Sequence, residues 1–278
     1  MHPSTPWVAV SPADARPASA PDPLLSLVCF PSAGNNSSLF EGWSASLPPR
    51  CALLPVELPG RNARRNEAPG RDLKAAAGEA AAALAPLLRG KPYALLGHSV
   101  GAWLAFEVSL ALQRNGAPGP VRFYALACRA PCLAGADHEP DPPRFAHLPD
   151  SPPFWARVER RYGRNPLFHS SAGVRAFAHP VLSSDLAMSE GYEWDSAADE
   201  RLACPVAAVW APGDGRCGKA QALAWGRHTT AGGGFEAVRV ETQPHAWATP
   251  HRTMVQESRG ALLAWLAKDI DKLMARHE

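Results

Sequence analysis

Short, almost wholly apolar runs recur along the chain, separated by longer stretches with apolar residues at helical spacing. The runs lie at 24–30 (LLSLVCF), 51–57 (CALLPVE), 92–98 (PYALLGH), 121–128 (VRFYALAC), 204–211 (CPVAAVWA) and 235–241 (FEAVRVE). Runs of this length without polar alternation read as strands buried on both faces. Between them the pattern predicts a helix over 37–47, opened by a capping box from Ser38 to Glu41, and one over 72–88 with Asp72 as N-cap. Further helices are expected over 99–114 and 219–228. A last helix is expected over about 251–275, with Thr249 as N-cap and Pro250 at its first position. Buried strands alternating with helices predict an α/β chain: a mostly parallel central sheet flanked by helices.

The rhythm breaks over 132–203, which begins with the proline-rich HEPDPPRFAHLPDSPPF and continues with helical patterns such as FWARVERRYG. This stretch is expected to be a helical lid inserted into a core formed by 24–131 and 204–278; a plain helical subdomain with no gating role is the alternative. Residues 1–23 are rich in Pro, Ala and Ser and lack the apolar centre of a secretory signal. They are expected to be a disordered tail. A cleaved targeting segment is the minority reading, weakened by Asp14, Asp22 and the single Arg16.

Composition narrows the function. With 278 residues, 46% of them apolar and 19% charged, the chain can bury a substantial core. A net charge of +2 argues against a nucleic-acid partner, and no run reaches the ~18 apolar residues of a membrane span. The six cysteines (Cys29, Cys51, Cys128, Cys132, Cys204, Cys217) form no CxxC pair, so no metal site is expected. Cys29, Cys51 and Cys128 fall in or beside strand-like runs as small core residues, which suits a reduced, cytoplasmic compartment.

The chemistry concentrates in LLGHSVGAW, residues 95–103. A serine at the tip of a sharp strand-to-helix turn needs a strained backbone and small residues two positions to either side. Gly97 and Gly101 meet that need and lift Ser99 above the sheet, forming the nucleophile elbow G-x-S-x-G. The serine needs a base, and the base needs an orienting acid. In this arrangement acid and histidine follow later strands in that order. Asp214 follows VAAVWA, and His245 follows FEAVRVE in TQPHAW. His251 and His228 lie nearby but within predicted helices, and Glu241 lies on the histidine's own strand, so His245 and Asp214 are the expected partners. His98 is expected to pack as a hydrogen-bonded core residue. For the oxyanion, the expected donors are the N–H of Val100, which opens the helix, and that of Ala33 in FPSAGNNS, with Ser32 second.

With VCFPSAGNNSS, PVELPGRNAR, LLGHSVGAWLAFEVS and PVAAVWAPGD…LAWGRHT, the chain resembles type II thioesterases, the stand-alone α/β-hydrolases of polyketide and nonribosomal peptide synthetases. The likeness runs over about 24–268 and includes RYGRNP and HPVLSSDLAMSEGYEW. It implies an α/β-hydrolase fold and a serine thioesterase with Ser99, Asp214 and His245 as triad. It also implies hydrolysis of acyl thioesters from the phosphopantetheine arm of acyl or peptidyl carrier protein domains, with no cofactor beyond that arm. Two departures bear on acyl preference. Asn35, followed by Asn36, stands where the family has a second glycine, and Gln243-Pro244-His245-Ala246-Trp247 replaces its Gly-Gly-His-Phe. The chain is expected to act as a monomer. Arg157, Arg160, Arg161 and Arg164 in RVERRYGR, and the cluster GRNARR, are candidates for docking an acidic carrier, or else solvated charged faces. A carboxylesterase or lipase and a catalytically silent binding module on the same fold are the alternative functions.

Overall fold

Each of the six apolar runs forms a strand: β1 (Leu25–Phe30), β2 (Cys51–Pro55), β3 (Tyr93–His98), β4 (Arg122–Leu126), β5 (Val206–Trp210) and β6 (Phe235–Arg239). The computed structural model describes residues 5–17, 19–135, 144–230, 232, 234–242, 249–256 and 259–276. The strands make one sheet in the order β2-β1-β3-β4-β5-β6, with every pairing parallel. Strands β1, β3 and β4 are buried at every position, as their unbroken apolar runs require. Their side chains alternate between two cores. Val28, Phe30 and Leu95 face one side of the sheet, and Leu27, Cys29 and Leu96 face the other.

Helix α1 (Leu73–Leu88) packs beside α2 (Val100–Arg114) on the first side. Ala76, Ala77, Ala80 and Ala81 are buried there, and their short side chains let the two helices approach closely. Asp72 caps α1 as expected, accepting from the Ala75 N–H at 2.9 Å. Cys29, Cys51 and Cys128 are free and buried, also as expected. No helix among the described residues is long and apolar enough to cross a membrane.

The insertion carries α3 (Pro152–Tyr162), α4 (Pro166–Ser170) and α5 (Ala172–Gly191). It has a small core of its own, built from Phe145, Phe154, Val158, Leu182 and Leu186. Glu190 on α5 braces it, accepting from the N–H groups of Phe145 and Ala146 at 3.1 and 3.0 Å and pairing with buried Arg161 at 3.5 Å.

Four expectations need correction. The helix expected over 37–47 is two 3-10 turns, Ser37–Phe40 and Ser44–Ser46, and the cap is Asn36, which accepts from the Ser38 N–H. The segment over 219–228 is a short α6 (Lys219–Leu223) followed by a 3-10 turn, Ala224–His228. The last helix is divided into α7 (Pro250–Thr253) and α8 (Arg259–Met274). Of the supposed disordered tail, residues 5–17 pack in place. Trp7 is buried with the Arg64 guanidinium 4.3 Å from its ring centre, and Val8 bridges antiparallel to Val56 beside β2. Asp14 accepts from the N–H groups of Gly42 and Ser44 at 2.8 and 2.9 Å. The average composition of residues 1–23 hid two anchors, one large aromatic ring and one carboxylate.

Candidate active site

Ser99 stands between the last residue of β3 and the first of α2, at φ 55° and ψ −129°. A non-glycine residue there costs on the order of 1–3 kcal/mol, so the surroundings must hold it. The Ser99 N–H donates to the Leu126 carbonyl at 2.9 Å, and the Ser99 carbonyl accepts from the Ala102 N–H at 2.8 Å. The flanking glycines are obligatory. A Cβ on Gly97 would lie 2.3 Å from Ala102 Cα, and one on Gly101 would lie 2.4 Å from the Phe30 carbonyl oxygen.

The imidazole that meets the serine belongs to His251. Its Nε2 lies 3.0 Å from Ser99 Oγ, and its Nδ1 lies 3.1 Å from Asp214 Oδ2. The sequence reading expected His245 here; that residue lies outside the described residues, and the imidazole in contact with Ser99 is that of His251. His251 was passed over because it fell in a predicted long helix. In the fold, α7 is one turn long, and His251 is its second residue. Thr249-Pro250 marks the helix start in the sequence, but nothing local says that the helix ends after one turn.

Asp214 is where the sequence reading puts it, in the turn after β5, with a fully buried side chain. Its Oδ1 accepts from the N–H groups of Arg216 and Cys217 at 2.8 and 3.2 Å, leaving Oδ2 for the imidazole. Burial works to raise the pKa of this carboxyl, but His251 and the two N–H donors outweigh it and hold it below its ordinary value. An ionised Asp214 fixes the tautomer with the proton on Nδ1, so that Nε2 can accept from Ser99. His98 is a buried packing residue as expected, and it does one thing more. Its Nε2 donates to the backbone carbonyl of His251 at 2.9 Å. Burial, with His251 adding to it, pushes the His98 pKa down to about 3, so its ring is neutral.

The loop after β1, from which the sequence reading expects an oxyanion donor, lines the cavity at Ser99. Ser32, Ala33, Ser99, His251, Phe168 and Leu182 are among the residues around a cavity of about 180 Å³. Val100 is the first residue of α2, whose opening N–H groups have no intrahelical partner. The Gly34 N–H is committed to Asp185 Oδ2 at 2.7 Å and the Asn35 N–H to the Ser32 carbonyl at 3.0 Å. No described residue accepts from the Ala33 N–H. A larger cavity, about 450 Å³, lies within the insertion. The two share Val158, Asn165 and Phe168 as walls.

The thioesterase domain family matches residues 26–258. The chain belongs to the thioesterase family. Thioesterase PikA5 of Streptomyces venezuelae is 32% identical over 211 residues, 76% of this chain and 72% of that protein. Among solved structures, the RedJ thioesterase from the prodiginine pathway of Streptomyces coelicolor aligns with a TM-score of 0.75 and 34% identity, over 92% of this chain and 90% of its own. The type II thioesterase BorB from the borrelidin cluster aligns at 0.72 with 25% identity, over 95% and 96%. The protein is thus an α/β-hydrolase acting on thioesters.

In this thioesterase Asn35 and Asn36 brace the loop after β1. Asn35 Nδ2 donates to Ser32 Oγ at 3.0 Å and to the Ala33 carbonyl at 3.3 Å, and Asn36 caps the turn that follows. The basic clusters are not uniform surface patches. Arg61, Arg64 and Arg161 are buried and paired with Asp185, Glu67 and Glu190, which removes them as carrier contacts.

Proposed function

We propose that this thioesterase hydrolyses acyl thioesters on the phosphopantetheine arm of acyl or peptidyl carrier protein domains, with Ser99, His251 and Asp214 as catalytic residues. The observation that carries the reading is the 3.0 Å contact between Ser99 Oγ and His251 Nε2, on an imidazole already oriented by Asp214. Ser99 Oγ attacks the thioester carbonyl carbon while His251 Nε2 takes its proton. The carbonyl oxygen becomes an oxyanion, held by the N–H groups of Val100 and Ala33. Collapse of this intermediate breaks the carbon–sulfur bond, and the imidazolium returns its proton to the departing sulfur. Water then attacks the acyl-serine with His251 again as base, which releases the acid and restores Ser99. A thiol with a pKa near 8.5 leaves more readily than an amine, so hydrolysis of the acyl-enzyme is the expected slow step. No cofactor is needed, because the pantetheine belongs to the substrate.

The family and the relatives from two biosynthetic pathways support the choice of substrate. Clearing stalled or misprimed carriers and releasing short or medium chains are two uses of the same hydrolysis. The exposed Arg160 and Arg164 on and just beyond α3 remain as contacts for an acidic carrier. Mass spectrometry of a panel of acyl-loaded carriers tests the reading. The wild type should strip acyl groups that survive incubation with Ser99→Ala. Preference for oxygen esters over carrier thioesters would instead select an esterase.

A further inference from the structure

The oxyanion loop is not free-standing; its shape depends on a buried ion pair that the triad does not use. Asp185, on lid helix α5, accepts the Gly34 N–H at 2.7 Å through Oδ2, and the same oxygen accepts from Arg61 Nη2. Arg61 comes from the segment after β2, and its Nη1 donates to the Pro59 carbonyl at 3.2 Å. Both side chains are buried, with 4% and 2% of their surface exposed. One turn earlier on α5, Leu182 Cδ1 lies 3.0 Å from where a Gly34 Cβ would stand, and Gly34 is at φ +73°. Three segments distant in the chain therefore converge on Gly34, next to the expected oxyanion donor Ala33. Burial raises the Asp185 pKa above its ordinary value, and the Arg61 guanidinium and the Gly34 N–H oppose that rise without cancelling it.

We propose that Asp185 and Arg61 are positioning residues for the oxyanion: the pair pins the Gly34 N–H and thereby aims the neighbouring Ala33 N–H at the substrate carbonyl oxygen. The proposal rests on Ser99 being the acylated nucleophile. It couples the lid to catalysis, because α5 cannot shift without releasing the loop. Removing an oxyanion donor outright typically costs about 100- to 1,000-fold in kcat, and misaiming one should cost less.

Three readouts on the full-length protein test it. The first is hydrolysis of an acyl-N-acetylcysteamine thioester. The second is affinity for a medium-chain alkyl trifluoromethyl ketone, whose carbonyl carbon bonds to Ser99 Oγ while its oxygen becomes the oxyanion and the serine proton passes to His251. The third is affinity for the matching thioether, which has no carbonyl oxygen. Asp185→Ala should lower kcat by about 10- to 100-fold and weaken the ketone by the same factor. Thioether affinity and KM should stay within about twofold. Asp185→Asn keeps an acceptor for Gly34 but loses the arginine; it should fold and show a smaller loss, about three- to tenfold, with the same split. Glu190→Gln disturbs the other buried ion pair of α5 and should leave the ratio of ketone to thioether affinity unchanged. Full kcat in folded Asp185→Asn and Asp185→Ala, or thioether and ketone affinities falling together, overturns the proposal. Ser99→Ala in the same assay separates the two levels: hydrolysis that persists there refutes the nucleophile itself.

Discussion

The two partners of the Ser99–His251 contact are placed by different means. Ser99 is set by a turn whose shape is decided within a few residues, by Gly97 and Gly101 and the collisions that any larger residue there would cause. His251 sits on a one-turn helix whose position depends on groups from distant segments. His98 holds its backbone carbonyl from 153 residues away, and Asp214 holds its ring from 37 residues away. The turn at Ser99 is thus a local steric object, whereas the place of the His251 ring is a tertiary one. That difference explains why the serine could be read from five residues and the histidine could not.

The largest expected effects test the chemistry that joins the two sides. Ser99→Ala and His251→Ala should each lower kcat by about a million-fold against an acyl-N-acetylcysteamine thioester, and Asp214→Asn by about ten-thousand-fold. His245→Ala should stay within about tenfold of wild type. If His245→Ala abolishes turnover and His251→Ala spares it, the base is reassigned and the comparison fails.

Next comes the steric side. Gly97→Ala should destabilise the fold by more than ~3 kcal/mol, because its Cβ meets backbone at 2.3 Å with no flexible neighbour to yield. Urea denaturation measures this, and near-native stability would show that the turn has slack.

The tertiary side should fail in acid. His98 and His228 are buried and neutral, with pKa values pushed down to about 3 and about 4, against about 6.5 unfolded. Folded pKa values below the unfolded one mean stability that is full above pH ~6.5 and is lost as pH falls toward the folded values. By pH 4.5 the loss should be roughly 2–3 kcal/mol for His98. His98→Gln should flatten this acid slope between pH 7 and 4.5, and an unchanged slope would place the acid sensitivity elsewhere.

Smaller effects probe the insertion and a control. Phe168 walls both cavities, so Phe168→Ala should join them and shift kcat/KM toward longer acyl chains by about tenfold. An unchanged chain-length profile across a thioester series would separate the larger cavity from the substrate. Gly78 is exposed within α1 and has nothing within 4 Å of its Cβ position. Gly78→Ala should therefore stabilise by about 0.5–1 kcal/mol, the reverse of Gly97→Ala.

The first five strands were legible because burial on both faces leaves a simple mark, a nearly unbroken apolar run; β6, at the sheet edge, is half-exposed and carries Glu236 and Arg239. Asp72, Ser99 and Asp214 were legible because a cap, an elbow and a post-strand turn each have local rules. Trp7 and Asp14 were lost in the average composition of their segment. Arg61, Arg64 and Arg161 look like surface charge in a linear reading, because the carboxylates that bury them come from other elements or an adjoining turn.

The chain's own order of residues determined the parallel α/β architecture, the turn at Ser99 and the place of Asp214 after β5, since each follows from patterning or sterics between near neighbours. Only the tertiary structure decided that His251 meets Ser99, that α7 ends after one turn, and that Asp185 and Arg61 close on Gly34. Those outcomes depend on which buried donors and acceptors find one another across more than a hundred residues of chain, and no local pattern encodes that distance.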